Sequence, residues 1–84
     1  MKTVAAALVD RAIDAYVEWR ETCERVDDAY ACWAGARRAN TGPAFSGYRA
    51  ALDQEERAAQ RYAARVRRVG MALPAQSVGS VEAA

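Results

Sequence analysis

From Val9 to Trp33 the chain returns to an apolar or aromatic residue in steps of three and four. The members are Val9, Ala12, Tyr16, Trp19, Cys23, Val26, Tyr30 and Trp33. Such alternation is the period of a helix stripe and is incompatible with a strand, whose side chains alternate every two residues. It is sustained over more than three heptads, the pattern of a helix that packs lengthwise against another helix. Asp10, Arg11, Asp14, Glu18, Glu21, Glu24, Arg25 and Asp28 fall between the stripe members, on the face that such a helix turns to water. A first helix is expected over about residues 3–39, with Thr3 as N-cap and Arg37 and Arg38 opposing the negative end of its dipole.

A second stripe follows in the same steps through Phe45, Tyr48, Leu52, Glu55, Ala59, Tyr62, Val66 and Val69. This predicts a second helix over about residues 43–69, opened by Pro43 and stopped by Gly70. Residues 71–84 read as a flexible C-terminal tail. Between the helices, Asn40-Thr41-Gly42-Pro43 offers Asn40 or Gly42 to leave the first helix with positive φ. So short a connection makes the two helices antiparallel neighbours. The expected fold is therefore an all-α antiparallel hairpin over residues 1–70.

All seven aromatic residues lie on the two stripes, and Leu8, Ile13, Ala15, Ala29, Ala51, Ala58 and Ala63 widen the apolar surface beside them. Two helices cover only one side of side chains this large, and a chain of 84 residues buries a modest share of its surface on its own. A second hairpin is expected to cover the remainder, giving a homodimeric four-helix bundle. Its core or dimer seam would comprise Tyr16, Trp19, Cys23, Val26, Tyr30, Trp33, Phe45, Tyr48, Leu52, Ala59, Tyr62 and Val66.

Composition removes several function classes. With no histidine in the chain, the commonest metal ligand and the commonest neutral-pH general base are both missing. Neither a cofactor nor a metal is expected, and the Glu-x-x-His pattern of di-iron bundles cannot be formed. Cys23 and Cys32 lie ~13 Å apart along one helix, too far to pair with each other. Cys23 reads as a small buried hydrophobe and Cys32 as a solvated thiol with no base to activate it, so no nucleophilic enzyme is expected. Twelve basic residues against eleven acidic ones leave a net charge of +1, without the one-sided excess of a nucleic-acid binder. Arg57, Arg61, Arg65 and Arg68 share one side of the second helix, where the acidic first half of the first helix should meet them as a solvated ionic face.

Nothing in the sequence is long and apolar enough to span a membrane, and the opening "MKTVAAALVDRA" runs into charge where a signal peptide would carry its cleavage site. A cytoplasmic location is the expectation.

Glu55 interrupts its stripe. An ionised carboxylate on a packed face is costly unless it is paired. With the hairpin folded about residues 41 and 42, Glu55 falls opposite Val26 and Tyr30. Two roles follow: a structural acid that accepts a hydrogen bond from Tyr30, Tyr48, Tyr62 or an arginine of a facing chain, or a ligand contact in a small-molecule-binding bundle.

The triplet Trp33-Ala34-Gly35 resembles the Trp-x-Gly signature of the WXG100 family, small helical hairpins exported by type VII secretion that carry the motif at their bend. The resemblance covers these three residues and the helix on either side. Eight positions separate Gly35 from Pro43, and Tyr62 is followed four residues later by Val66, where the family's Tyr-x-x-x-Asp/Glu export signal has an acid. It implies a secreted hairpin, as the alternative to a cytoplasmic helical oligomerisation or protein-interaction module.

Overall fold

The structure is a computed structural model that describes residues 3–72. Two long helices account for nearly all of it: α1, Val4–Ala34, and α2, Thr41–Ala72, joined through a single 3-10 turn at Arg38–Asn40. They pack against each other along their length as an antiparallel all-α hairpin. Thr3 caps α1 as its residue type suggests, its Oγ1 accepting a hydrogen bond from the Ala6 amide at 3.1 Å. This satisfies one of the four amides that a helix start leaves without an intrahelical partner.

The bend falls earlier than the turn residues indicate. α1 stops at Ala34, five residues short of the expected end, and Gly35 is its C-cap with φ −95° and ψ 3°. The Gly35 amide closes the helix on the Ala31 carbonyl at 3.0 Å, and the Ala36 amide bonds the Trp33 carbonyl at 3.1 Å. Among the described residues none has a positive φ, so neither Asn40 nor Gly42 acts as a left-handed exit. Both belong instead to the start of the return: Asn40 ends the 3-10 turn, its amide bonded to the Arg37 carbonyl at 2.8 Å, and Gly42 is already helical. Pro43 is tolerated there because the first-turn amides of a helix need no intrahelical acceptor. Gly42 helps, since one of the two clashes that push the residue before a proline out of the helical region is with its Cβ, which glycine lacks.

α2 also passes through Gly70, the expected stop, and continues to Ala72. The first two residues of the expected tail are thus helical, and residues 73–84 lie outside the described residues. Glycine inside a helix carries an entropic cost of roughly 0.5–1 kcal/mol relative to alanine. Gly47 is the better place to recover it, because it sits in the body of α2 and an added Cβ would meet nothing within 4 Å. Gly47→Ala is expected to raise stability by about that amount, read as an upward shift of the thermal midpoint with no change in oligomeric mass.

The face that each helix turns to its neighbour is rotated from the expected stripe. The buried residues are Ala12, Ala15 and Thr22 on α1 and Ala51 and Ala58 on α2, with Ala58 only 1% exposed. Trp19, Val26 and Trp33 of the expected α1 stripe do lie at the seam, half-buried, and so do Tyr48, Glu55 and Tyr62 of α2. The other half of each stripe is displaced outward by one helix position, and its place is taken by the alanines expected to flank it. Small side chains let the helix axes approach closely, whereas a tyrosine or phenylalanine in the same place would hold them apart. Thr22, the one buried polar residue of the seam, needs no partner across it: its hydroxyl donates to the Trp19 carbonyl one turn back at 2.6 Å.

Candidate functional site

Rotation of the seam gives the hairpin two unlike sides. On one side the aromatic rings lie across the seam in two clusters. Near the open end, Trp19 stacks on Tyr62 with centroids 5.8 Å apart and planes 8° from parallel, while Tyr16 meets both, Trp19 edge-on at 6.0 Å and Tyr62 tilted at 5.4 Å. Near the bend, Trp33 stacks on Tyr48 at 5.5 Å and tilts against Phe45 at 5.1 Å. Tyr30 closes this second cluster with edge contacts to Trp33 and Tyr48. Offset and edge-to-face pairs of this kind contribute about 0.5–1.5 kcal/mol each beyond their buried area.

These clusters are covered on one side only. Tyr16, Tyr30, Phe45, Leu52 and Val66 remain between 38% exposed, at Leu52, and 52% exposed, at Tyr30. Val9 and Ile13 extend the same side toward the start of α1, also exposed, and half-buried Cys23 and Ala59 lie in its middle. The twelve residues expected to form a core or bundle seam thus divide in two. Trp19, Val26, Trp33, Tyr48 and Tyr62 close the hairpin, while Tyr16, Cys23, Tyr30, Phe45, Leu52, Ala59 and Val66 form a continuous apolar strip beside the seam.

The opposite side is ionic. Arg11, Asp14, Glu18, Arg61 and Arg65 border one open groove there, and Thr22, Arg25, Gln54 and Arg57 continue it toward the bend. Arg61 forms an ion pair with Glu18 across the seam. Both partners are about half exposed, a setting in which such pairs add little stability. This is the solvated face expected for the arginines of the second helix. Cys32 is exposed, as the sequence suggests.

Glu55 is half-buried at the seam, and its carboxylate accepts a hydrogen bond from the Trp19 indole N–H, Nε1 to Oε2, at 3.4 Å. Its partner is therefore a tryptophan rather than Tyr30, Tyr48 or Tyr62. The cause is register: with the bend at residues 35–40 rather than 41 and 42, Glu55 moves along α1 from between Val26 and Tyr30 to the level of Cys23, one helix turn from Trp19. The tyrosines are engaged through their rings, in the stacks described above. One carboxylate oxygen thus satisfies the only side-chain donor of Trp19. Glu55→Gln is expected to leave stability within about 1 kcal/mol of the parent, because the amide oxygen accepts the same bond. Denaturant titration followed by tryptophan fluorescence checks it, and a loss well beyond that figure would show that the charge itself is required.

Among the described residues no group of His, Cys, Asp and Glu side chains could hold a metal ion, and no helix is long and apolar enough to cross a membrane. The feature with chemical consequence is thus the apolar strip, an extended surface suited to another apolar surface. Compared with family models, with curated proteins and with solved structures, the chain matches none.

Proposed function

We propose that this chain is a non-enzymatic helical interaction module that associates with a second copy of itself through the aromatic side of the hairpin, forming a four-helix bundle. One observation carries the reading: of the large exposed apolar residues on α1 and α2 from Val9 to Val66, all but Val17 on the back of α1 gather beside one flank of the seam, while the other flank is ionic. Covering the exposed half of such a side chain is worth ~1 kcal/mol. Seven of them per copy therefore exceed an association cost of roughly 4–15 kcal/mol except at its upper end. Light scattering at micromolar concentration should give twice the 9.1 kDa chain mass. A folded monomer under those conditions would end this reading.

A second reading, a secreted hairpin of the WXG100 type, is favoured by the position of Gly35. With α1 ending at Ala34 and Gly35 as its C-cap, Trp33-Ala34-Gly35 sits at the bend, where the resemblance requires it. The distance to Pro43 is no obstacle, because Pro43 lies inside α2. Recovery of the chain in the medium of a strain with an intact type VII secretion system, and its retention when that system is deleted, would establish export. Retention in both strains would dismiss it. A small-molecule site at Glu55 has weaker support, since the carboxylate is held by the Trp19 indole.

A further inference from the structure

The outer edges of the apolar strip carry charges that select one arrangement of two copies. On α1, the positions one helix turn beyond Val9, Tyr16 and Cys23 are Ile13, Arg20 and Asp27. On α2, those one turn beyond Phe45, Leu52 and Ala59 are Arg49, Glu56 and Ala63. Read from the open end toward the bend, the α1 edge is apolar, positive, negative, and the α2 edge is apolar, negative, positive. None of the four charged side chains has an ion pair among the described residues.

The cross-helix ring contacts Tyr16 with Tyr62, Tyr30 with Tyr48 and Trp33 with Phe45 set the levels of the two helices. In that register Glu56 stands level with Thr22, Arg49 with Ala29 and Ala63 with Ala15. Each is therefore two residues, ~3 Å along the axis, from its opposite number on α1: Glu56 from Arg20, Arg49 from Asp27 and Ala63 from Ile13. Within one subunit the two edges are separated by the width of the apolar strip. They meet when a second hairpin is laid on the first.

We infer that, in the dimer on which the preceding section rests, the two hairpins lie side by side with their bends at the same end and the two-fold axis along the hairpin. α1 of each copy then faces α2 of the other, Arg20 pairs with the partner's Glu56 and Asp27 with the partner's Arg49, twice each by symmetry. The head-to-tail alternative sets α1 against α1 and α2 against α2. At full overlap it brings Arg20 beside the partner's Arg20 and Glu56 near the partner's Glu56, so like charges meet at the middle of both edges. Opposed like charges across a packed helix interface are what such edges discriminate against in coiled coils.

Two measurements on the full chain test the arrangement. In the Cys23→Ala, Cys32→Ser background, a spin label at Arg37→Cys reports the distance between the two bends. Side-by-side hairpins predict about 25 Å or less, two to three helix spacings. Head-to-tail hairpins predict more than about 40 Å, close to the ~46 Å length of α1. Separately, Arg20→Glu should raise the dimer dissociation constant about tenfold, since two attractive pairs become repulsive, and adding Glu56→Arg in the same chain should restore it. A short distance with restoration supports the arrangement. A dimer with the long distance, or with no restoration, overturns the arrangement and leaves the dimer standing. A parent chain that stays monomeric overturns both.

Discussion

Trp19→Ala should cost about 3 kcal/mol, at the lower end of the range for removing a tryptophan because the ring is half-buried. The magnitude follows from what the ring does. It stacks on Tyr62, holds Tyr16 edge-on and donates its indole N–H to Glu55, so its removal disperses the open-end cluster and leaves the carboxylate without its partner. For a chain this small, whose whole stability is of the order of 4–12 kcal/mol, the loss should lower the thermal midpoint by roughly 15 °C. Trp19→Phe separates the two contributions, because it keeps an aromatic ring on Tyr62 and deletes only the donor. It is expected to recover more than half of the loss. Circular dichroism melts of the two variants beside the parent would decide it, and an unchanged midpoint for Trp19→Ala would mean that the open-end cluster does not hold the hairpin together.

Leu52→Lys should convert a dimer into a monomer without unmaking α2. Leucine and lysine have nearly equal helix propensity, and Leu52 lies outside the alanine seam, beside Ala51 rather than at it. In a dimer, however, it is near the middle of the covered strip, where an ammonium group would be desolvated with no partner placed for it. An increase of more than a hundredfold in the dissociation constant is expected, visible in sedimentation as a shift from twice the chain mass to the chain mass. Leu52→Met, which keeps volume and apolarity, should leave the dimer in place. Should both variants sediment like the parent, the strip is not the contact surface.

Much of the fold is legible in the residues alone. The three-four spacing dictates helices, the charged intervening positions dictate a solvated face, and the Gly, Asn and Pro between residues 35 and 43 dictate a bend, so a hairpin follows from periodicity and punctuation. The site of the bend is less legible. Gly35, Asn40, Gly42 and Pro43 are all plausible terminators by local chemistry, and helix propensity discriminates among them by no more than about 1 kcal/mol each. Pairing along thirty residues of α1 and α2 outweighs that, and it selects Gly35. The partner of Glu55 moved with that choice, from a tyrosine hydroxyl to the Trp19 indole.

The chain by itself determined that there are two amphipathic helices, that their aromatics gather on one surface and that a polar group interrupts it. Which of two adjacent stripes faces the partner helix was decided only by tertiary packing. Ala12, Trp19, Val26 and Trp33 serve equally well as half of a seam with Tyr16, Cys23 and Tyr30 or as half of one with Ala15, Thr22 and Ala29, and a heptad count cannot separate the two. Packing can, because a pair of helices has a single line of contact. Alanines placed on that line let the axes close while the large rings lie across it from the side, whereas rings placed on it would hold the axes apart and leave the small residues nothing to touch. The same choice leaves Tyr16, Tyr30, Phe45, Leu52 and Val66 half-uncovered, turned outward on one side of the hairpin.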